Sequence, residues 1–496
     1  MRICFIAIGI VFFSLLSCTT SRLPFRPDKK YESRELKEDL LILKGVLEKH
    51  HPGLYWYQSA SEWNAQWEAA NASLDKPLTE PEFRKTLRPL VSSIRCGHTS
   101  IRASKQWQKY SDTVLVDKLF PLSLKCWADT MIVLGNLDRK DSQLVRGTQI
   151  NRINGRTPKE IYESLFPFLF GDGFNETHKY QTLSGWGTFG NYYRQYLDSS
   201  NLLEVEWIDS AGNRRTATRT LYTPVRDTSK KTAGVKPTKK QLRNRRLEGI
   251  RSLQIDQQEK QALLRINSFG RSGQLRTFFR KGFRLLRENA IEDLIIDVRN
   301  NGGGDVGNST TLTRYLTDHR FRIADSLYAI RRNSSYGKYI KHNIAFQAMM
   351  PLLTKKRKDG LYHFGYFERH VFTPKKKDGF RGRIYILTGG NSFSATTLFV
   401  NGVKGQKNVT ILGEETGGGA YGNSAWEIPD VTLPNTGVRM RLPLFRMVMN
   451  KELPNDGKGI IPDIQVGSTI ESVRRNYDNK MLKATQLIRE NRRKGS

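Results

Sequence analysis

Ile384-Tyr-Ile-Leu-Thr-Gly-Gly-Asn-Ser-Phe-Ser-Ala-Thr396 is a short apolar run that breaks at two glycines and resumes as small residues suited to the first turn of a helix. A buried strand that turns directly into a helix is the unit of an α/β core, so this stretch decides how the rest is read. A hydroxyl at such a turn is held rigidly, and the first amides of the helix face it, which is the geometry of a nucleophile. Taken alone, the segment reads more readily as a serine or threonine that caps the helix. Upstream, Asp293-Leu-Ile-Ile-Asp-Val-Arg-Asn-Asn-Gly-Gly-Gly-Asp305 repeats the pattern. It is a second buried strand ending in a glycine turn, whose bare amides suit an oxyanion.

Around these two segments the chain alternates. Strands are expected at 262–267, 293–298, 384–388 and 409–412, with helices at about 272–288, 308–317 and 395–404. That order predicts an α/β core with largely parallel central strands. Residues 330–380, basic and aromatic, are expected as a lid or surface excursion. Nearer the N-terminus, Asp39–Glu48 carries apolar residues on one stripe and is stopped at His50-His-Pro52. A second helix, about Glu80 to Ile94, ends at Cys96-Gly-His-Thr99, where a glycine lets the chain turn and the imidazole of His98 project.

With 496 residues the chain exceeds a single core and should divide into two or three domains. Met1 to Cys18 has one positive charge and an apolar run too short for a comfortable membrane span, and it reads as an export signal. Residues 19–34, polar with two prolines, suit a tether, and 226–250 read as a basic linker. Of four cysteines, Cys4 and Cys18 fall in the signal, which leaves Cys96 and Cys126 either to pair or to remain buried thiols. Cys96 and His98 have no second ligand pair at usable spacing, so no metal is expected. The net charge of +33 is spread along the chain without a nucleic-acid-binding motif. It favours an anionic membrane surface or acidic substrates instead.

Five segments together, namely the two strand-turns, Cys96-Gly-His-Thr99, Gly413-Glu-Glu-Thr-Gly-Gly-Gly419 and Gly459-Ile-Ile-Pro-Asp463, resemble the tail-specific (C-terminal processing) serine peptidase family. The likeness is to its tricorn-like branch and bacterial lipoprotein members, over roughly residues 35–470. It implies a spiral ββα core like that of crotonases and ClpP at 251–470, preceded by an N-terminal helical domain at 35–114. It also implies a PDZ-like domain with an insertion at 115–225, where Gly147–Gly155, a helix at Pro158–Leu165 and Leu203–Gly212 resemble the PDZ pattern. A basic helix or tail at 471–496 closes the chain. Leu15-Leu-Ser-Cys18 resembles a lipobox, which implies cleavage before Cys18, acylation of its thiol, and a lipid-anchored place in the bacterial cell envelope outside the cytoplasm.

The resemblance also assigns chemistry. Phe393-Ser-Ala395 matches the context of the family nucleophile, so Ser394 is favoured and Ser392 is the rival. Many members use a lysine about 25 residues downstream as base, but here Gly419 stands at that position. Tricorn-like members recruit a histidine from upstream, and His98 matches. The acid that orients it is expected just before Gly459, at Asp456 or at Glu452. The oxyanion hole is expected from the amide of Ala395 with that of Gly303 or Gly302. Thr397 replaces the usual glutamate. The implied activity is cleavage of unfolded or C-terminal segments of envelope proteins through an acyl-enzyme, without a cofactor and with polypeptides, not nucleic acid, as partners. A non-catalytic peptide-binding scaffold of the same fold is the alternative.

Overall fold

The computed structural model describes residues 25–114, 117–209, 211–224, 237–332, 335–341 and 344–495, the side chains of 344–347 and 495 excepted. The expected signal peptide and Cys18 lie outside these residues.

The central layer is a six-stranded sheet in the order Ile464–Gln465, Val409–Gly413, Arg383–Thr388, Asp293–Asp297, Gln261–Ile266 and Arg251–Asp256. The first five run parallel, and the edge strand Arg251–Asp256 is antiparallel. Asp293–Asp297 and Ile384–Thr388 are buried along their whole length, as expected of parallel strands covered on both faces. One face packs the helices Leu275–Glu288, Val306–Leu316 and Ala395–Asn401 around Phe279, Phe283, Leu312 and Phe399. The other is covered by the C-terminal helix Asn479–Gly495, which buries Ala484 and Ile488 against Tyr385, Leu387 and Leu412. The architecture is therefore mixed α/β, with parallel strands bearing the two glycine turns at neighbouring C-terminal ends. Ligands bind at that end of open α/β sheets.

Three further units meet over those turns. Helices Ser33–His50, Ala60–Ser73 and Glu80–Ser92 share a core with Val431, Val438 and Met440 from the far end of the chain. The join is a strand pairing, Ser100–Arg102 against Arg439–Arg441, so the residues just before Ser100 are tied to the C-terminal part of the chain. A five-stranded antiparallel sheet, from Leu122–Trp127 to Arg214–Thr220 in sequence order, carries the helices Pro158–Leu165, Thr177–Leu183 and Thr188–Tyr196. Within it Cys126, like Cys96 in the helical unit, is a buried free thiol, so the two do not pair.

Two segments differ from the sequence expectation. Residues 330–380 do not form a detached excursion, because Tyr362–His363 pairs with Ser326–Ala329, which pairs in turn with Phe445–Val448 in a second five-stranded sheet. The basic linker contains a regular helix, Lys239–Ile250, opened by Thr238, whose hydroxyl accepts from the amide of Gln241. The helix buries none of its residues, so an apolar period could not announce it; the capping box and good helix formers account for it.

Candidate active site

Ser394 occupies the junction between the buried strand and the helix Ala395–Asn401, with φ 56° and ψ −121°. A non-glycine residue there is strained by roughly 1–3 kcal/mol, and such strain persists only where the surroundings impose it. Its hydroxyl caps nothing, which removes the capping interpretation. Ser392 does the opposite. Its buried Oγ donates to the carbonyl of Val298 at 2.9 Å and accepts from the amide of Gly389 at 3.2 Å, pinning the turn. The Ser394 Oγ lies 3.0 Å from Nε2 of His98.

His98 is buried, its ring inclined against that of Phe393 at 5.0 Å between centroids. His178 stacks on Phe393 as well, at 5.1 Å, and its Nδ1 donates to the carbonyl of Gly390 at 2.7 Å. Burial, reinforced by the positive Arg441, by His178 and by Arg446, holds the His98 pKa down to about 3. The imidazole is thus neutral at physiological pH, as a base must be before it accepts a proton. Its Nδ1 is buried and unpartnered.

The expected acids are not beside it. Asp456 is exposed, and its carboxylate accepts from the amide of Lys458 at 3.0 Å. Glu452 is also exposed, with its own amide tied to Asn450. Both sit in solvated turns, where a carboxylate keeps its hydration and is easily placed, and neither bonds the imidazole. The carboxylate brought to the site is Asp172, with an oxygen within 4.8 Å of a ring nitrogen of His98. Asp172 is buried and bridges two units, accepting from Gly97 N at 2.8 Å and from Gly419 N at 3.3 Å. Burial raises its pKa to about 6 against the pull of these two amides and of Arg446. At Gly419, the position matched to the family lysine, a bare amide therefore binds an aspartate, and an added Cβ would come within 2.8 Å of the carbonyl oxygen of Gly422. Lys404, the other amine near the nucleophile in sequence, donates to the carbonyl of Ile461 and is exposed.

The glycine turn lies against the serine. A Cβ at Gly303 would stand 2.8 Å from the Cβ of Ser394 and 2.9 Å from the amide nitrogen of Ala395, so only glycine, here at φ 98°, allows the approach. The amide of Gly303 is already donated to Asn301 Oδ1 at 2.9 Å, which takes it out of the pair of oxyanion donors expected from sequence. The amides of Ala395 and Gly302 have no acceptor among the described residues. Thr397 is buried and donates to the carbonyl of Ser392.

A cleft of about 1020 Å³ opens over this group. Its lining includes the apolar side chains of Ile323, Phe367, Phe372, Leu398, Trp426 and Met447 and the cationic ones of Arg271, Arg276 and Arg441. Strained serine, neutral imidazole and free amides at the mouth of such a cleft can attack an acyl carbon, accept the hydroxyl proton and hold the resulting oxyanion.

These features define a serine peptidase, a hydrolase. Residues 260–466 match the model of peptidase family S41, so this part of the chain is similar to that family. Among solved structures, mature CPAF is similar over 92% of this chain and 96% of its own, with a TM-score of 0.63 at 15% identity. Mature CPAF complexed with lactacystin is similar over 92% and 98%, with a TM-score of 0.61 at 14% identity. A putative peptidase from Parabacteroides merdae aligns over 92% and 97% at 15% identity, with a TM-score of 0.47. At such identities the likeness to mature CPAF is one of fold. No curated protein matches the sequence.

Sequence reasoning missed Asp172 and His178. Both come from the aromatic, glycine-rich stretch after the helix Pro158–Leu165, and the one local signal was an aspartate between two glycines, Gly171-Asp-Gly173.

Proposed function

We propose that this protein is an endopeptidase that cleaves unfolded or C-terminal segments of polypeptides through an acyl-enzyme on Ser394. His98 takes the Ser394 proton at Nε2 and returns it to the leaving amine, and the amides of Ala395 and Gly302 hold the tetrahedral oxyanion. Each such donor typically contributes about 3 kcal/mol to the transition state. Asp172, ionised at neutral pH, stabilises the imidazolium that forms between the two proton transfers, in the role sequence assigned to Asp456 or Glu452. The observation that carries the reading is the 3.0 Å contact between a neutral imidazole and a strained serine hydroxyl that has no capping duty.

The finer architecture belongs to the same reading. The six-stranded layer serves as a crotonase-like or ClpP-like spiral core, and the antiparallel unit between Leu122 and Thr220 as a PDZ-like module that presents substrate to the cleft. Acylation at Cys18 anchors the enzyme in the cell envelope. Among the described residues no helix is long and apolar enough to cross a membrane. A fluorophosphonate tests the central claim, since it reacts only with an activated serine. Mass spectrometry should find one adduct on the peptide containing Ser394, and absence of labelling would favour a peptide-binding scaffold.

A further inference from the structure

Cys96, His98 and Asp172 each offer a metal-ligating atom within 4.8 Å of the other two, and all three residues are buried. They come from two parts of the chain, a helix exit and the loop that bridges it to the peptidase core. The thiol is in no disulfide, and its Sγ lies 3.6 Å from the carbonyl of Ser424. A second observation marks the spot: Nδ1 of His98 is fully buried and has no hydrogen-bond partner, while Nε2 is held on Ser394. A buried polar atom left unpaired costs about 1–3 kcal/mol, so a group that satisfies it is favoured.

We infer that Cys96 Sγ, His98 Nδ1 and a carboxylate oxygen of Asp172 form an inhibitory zinc site whose occupation switches the peptidase off. The donor set of one thiolate, one imidazole and one carboxylate suits a borderline-soft cation, and three protein ligands with an open fourth position are a usual zinc arrangement. Tetrahedral zinc with ligands at about 2.0–2.3 Å holds them roughly 3.3–3.6 Å apart, so a modest closing of the present cluster completes the site. Burial pushes the Cys96 thiol up to about 11 and the Asp172 carboxyl up to about 6 against the pull of the buried Arg446, so the metal must itself displace the thiol proton as it binds.

Inhibition follows from proton positions. In the resting site Nδ1 carries the hydrogen and Nε2 offers its lone pair to the Ser394 hydroxyl. For zinc to bind at Nδ1 that nitrogen gives up its proton to solvent and Nε2 takes one up, a tautomer shift that leaves the ring neutral, so Nε2 becomes a donor toward Oγ. It can no longer accept the serine proton. Binding releases the Cys96 thiol proton to solvent, together with the Asp172 proton in whatever fraction is protonated, and apart from the exchange of Nδ1–H for Nε2–H on the ring no other bond of the protein is made or broken.

The inhibition rests on the proposed role of His98, whereas metal binding does not, and the experiment separates them. Metal-free full-length protein carrying Ser394→Ala is titrated with Co²⁺ as a spectroscopic stand-in, and in parallel the wild type is titrated with Zn²⁺ while the fluorophosphonate labelling rate is followed. One equivalent of cobalt should give a thiolate charge-transfer band that is lost when Cys96→Ser or His98→Gln is added to Ser394→Ala. Zinc should slow wild-type labelling at least about tenfold, with recovery on adding a chelator. Cys96→Ser should label at the normal rate without zinc and need at least about ten times more zinc for the same inhibition. A wild type indifferent to zinc, a Cys96→Ser variant equally sensitive, or cobalt binding without a thiolate band would each overturn the site. A folded wild type that never labels, yet shows the thiolate–cobalt band, would instead remove the peptidase reading and with it the inhibition.

Discussion

The two halves of the site are built differently. Ser394 and the glycine turn at 302–304 come from adjacent parallel strands, Arg383–Thr388 and Asp293–Asp297, paired residue by residue from Asp293↔Arg383 to Asp297↔Leu387. Their mutual position is a property of one sheet. His98 and Asp172 come from elsewhere, and contacts between units place them. These are the strand pairing of Ser100 with Arg441, the Asp172 bridge from Gly97 to Gly419, and the bonds of Gly173 N to Arg95 O at 2.8 Å and Phe174 N to Gly457 O at 2.9 Å. The proposed nucleophile is thus intrinsic to the core, and the proposed base is delivered by docking. Damage to the core half should remove chemistry outright, whereas damage to the docked half should weaken it in proportion to how directly the residue meets the serine.

Ser394→Ala should show the largest effect, loss of at least about 10⁴-fold in turnover with thermal stability unchanged within about 0.5 kcal/mol, because its hydroxyl supports no structure. The contrast with Ser392→Ala sharpens the point. That change leaves the Gly389 amide unpaired and the Val298 carbonyl with the amide of Asn301 as its remaining donor, so it should destabilise by about 1–3 kcal/mol, read by thermal denaturation, while leaving an activated Ser394 able to label.

On the docked side, His98→Ala should lower kcat by about 10³–10⁴-fold. The pH profile separates the base from its partner. Since His98 titrates near 3, it stays neutral across the working range and does not set an acid limb there. Asp172 titrates near 6 and faces Cys96, His98 and Arg446, so turnover should rise as pH passes about 6 and Asp172 ionises. Asp172→Asn should cut kcat by about 10–100-fold and abolish that limb. The sign for stability is opposite. A carboxylate whose folded pKa is raised from 3.8 to about 6 favours the folded state when protonated and loses that support as pH rises through 6. The change in melting temperature caused by Asp172→Asn should therefore be more favourable at pH 8 than at pH 5.

What was legible in the sequence follows the same division. The strand-turn-helix around Ser394 and the glycine turn at 302–304 are local patterns, and local patterns survive in a linear reading. His98 was reachable because its glycine and helix exit are local too, and because Gly419 excluded a lysine at the matched position. Asp172 was not, since it lies in an irregular loop far along the chain from His98, and only folding brings it to the Gly97 and Gly419 amides. The oxyanion pair was half legible. Sequence showed a run of glycines, but that Asn301 Oδ1 occupies the Gly303 amide depends on a side-chain rotamer. The helix Lys239–Ile250 was missed because period arguments detect only helices that bury a face.

The smallest expected effect tests the docked half most sharply. Asp456 and Glu452 occupy the stretch where linear comparison places the acid, yet both side chains face solvent. Asp456 does sit next to the right neighbourhood. Gly457 packs on Gly173, and its carbonyl receives the amide of Phe174, so the loop touches the one that carries Asp172. The carboxylate itself turns away to Lys458, with an oxygen 4.0 Å from the ammonium, a pairing in water worth at most about 1 kcal/mol. Asp456→Asn keeps the oxygen that accepts the Lys458 amide and removes only the charge, and Glu452→Gln does the same at its own turn. If the imidazolium is stabilised by Asp172, each variant should retain kcat within about twofold and keep the limb near pH 6, measured on one peptide substrate alongside Asp172→Asn. A loss of tenfold or more at Asp456 with Asp172→Asn near normal would mean that the loop rearranges when substrate binds, and the acid would return to the position that linear comparison gave it.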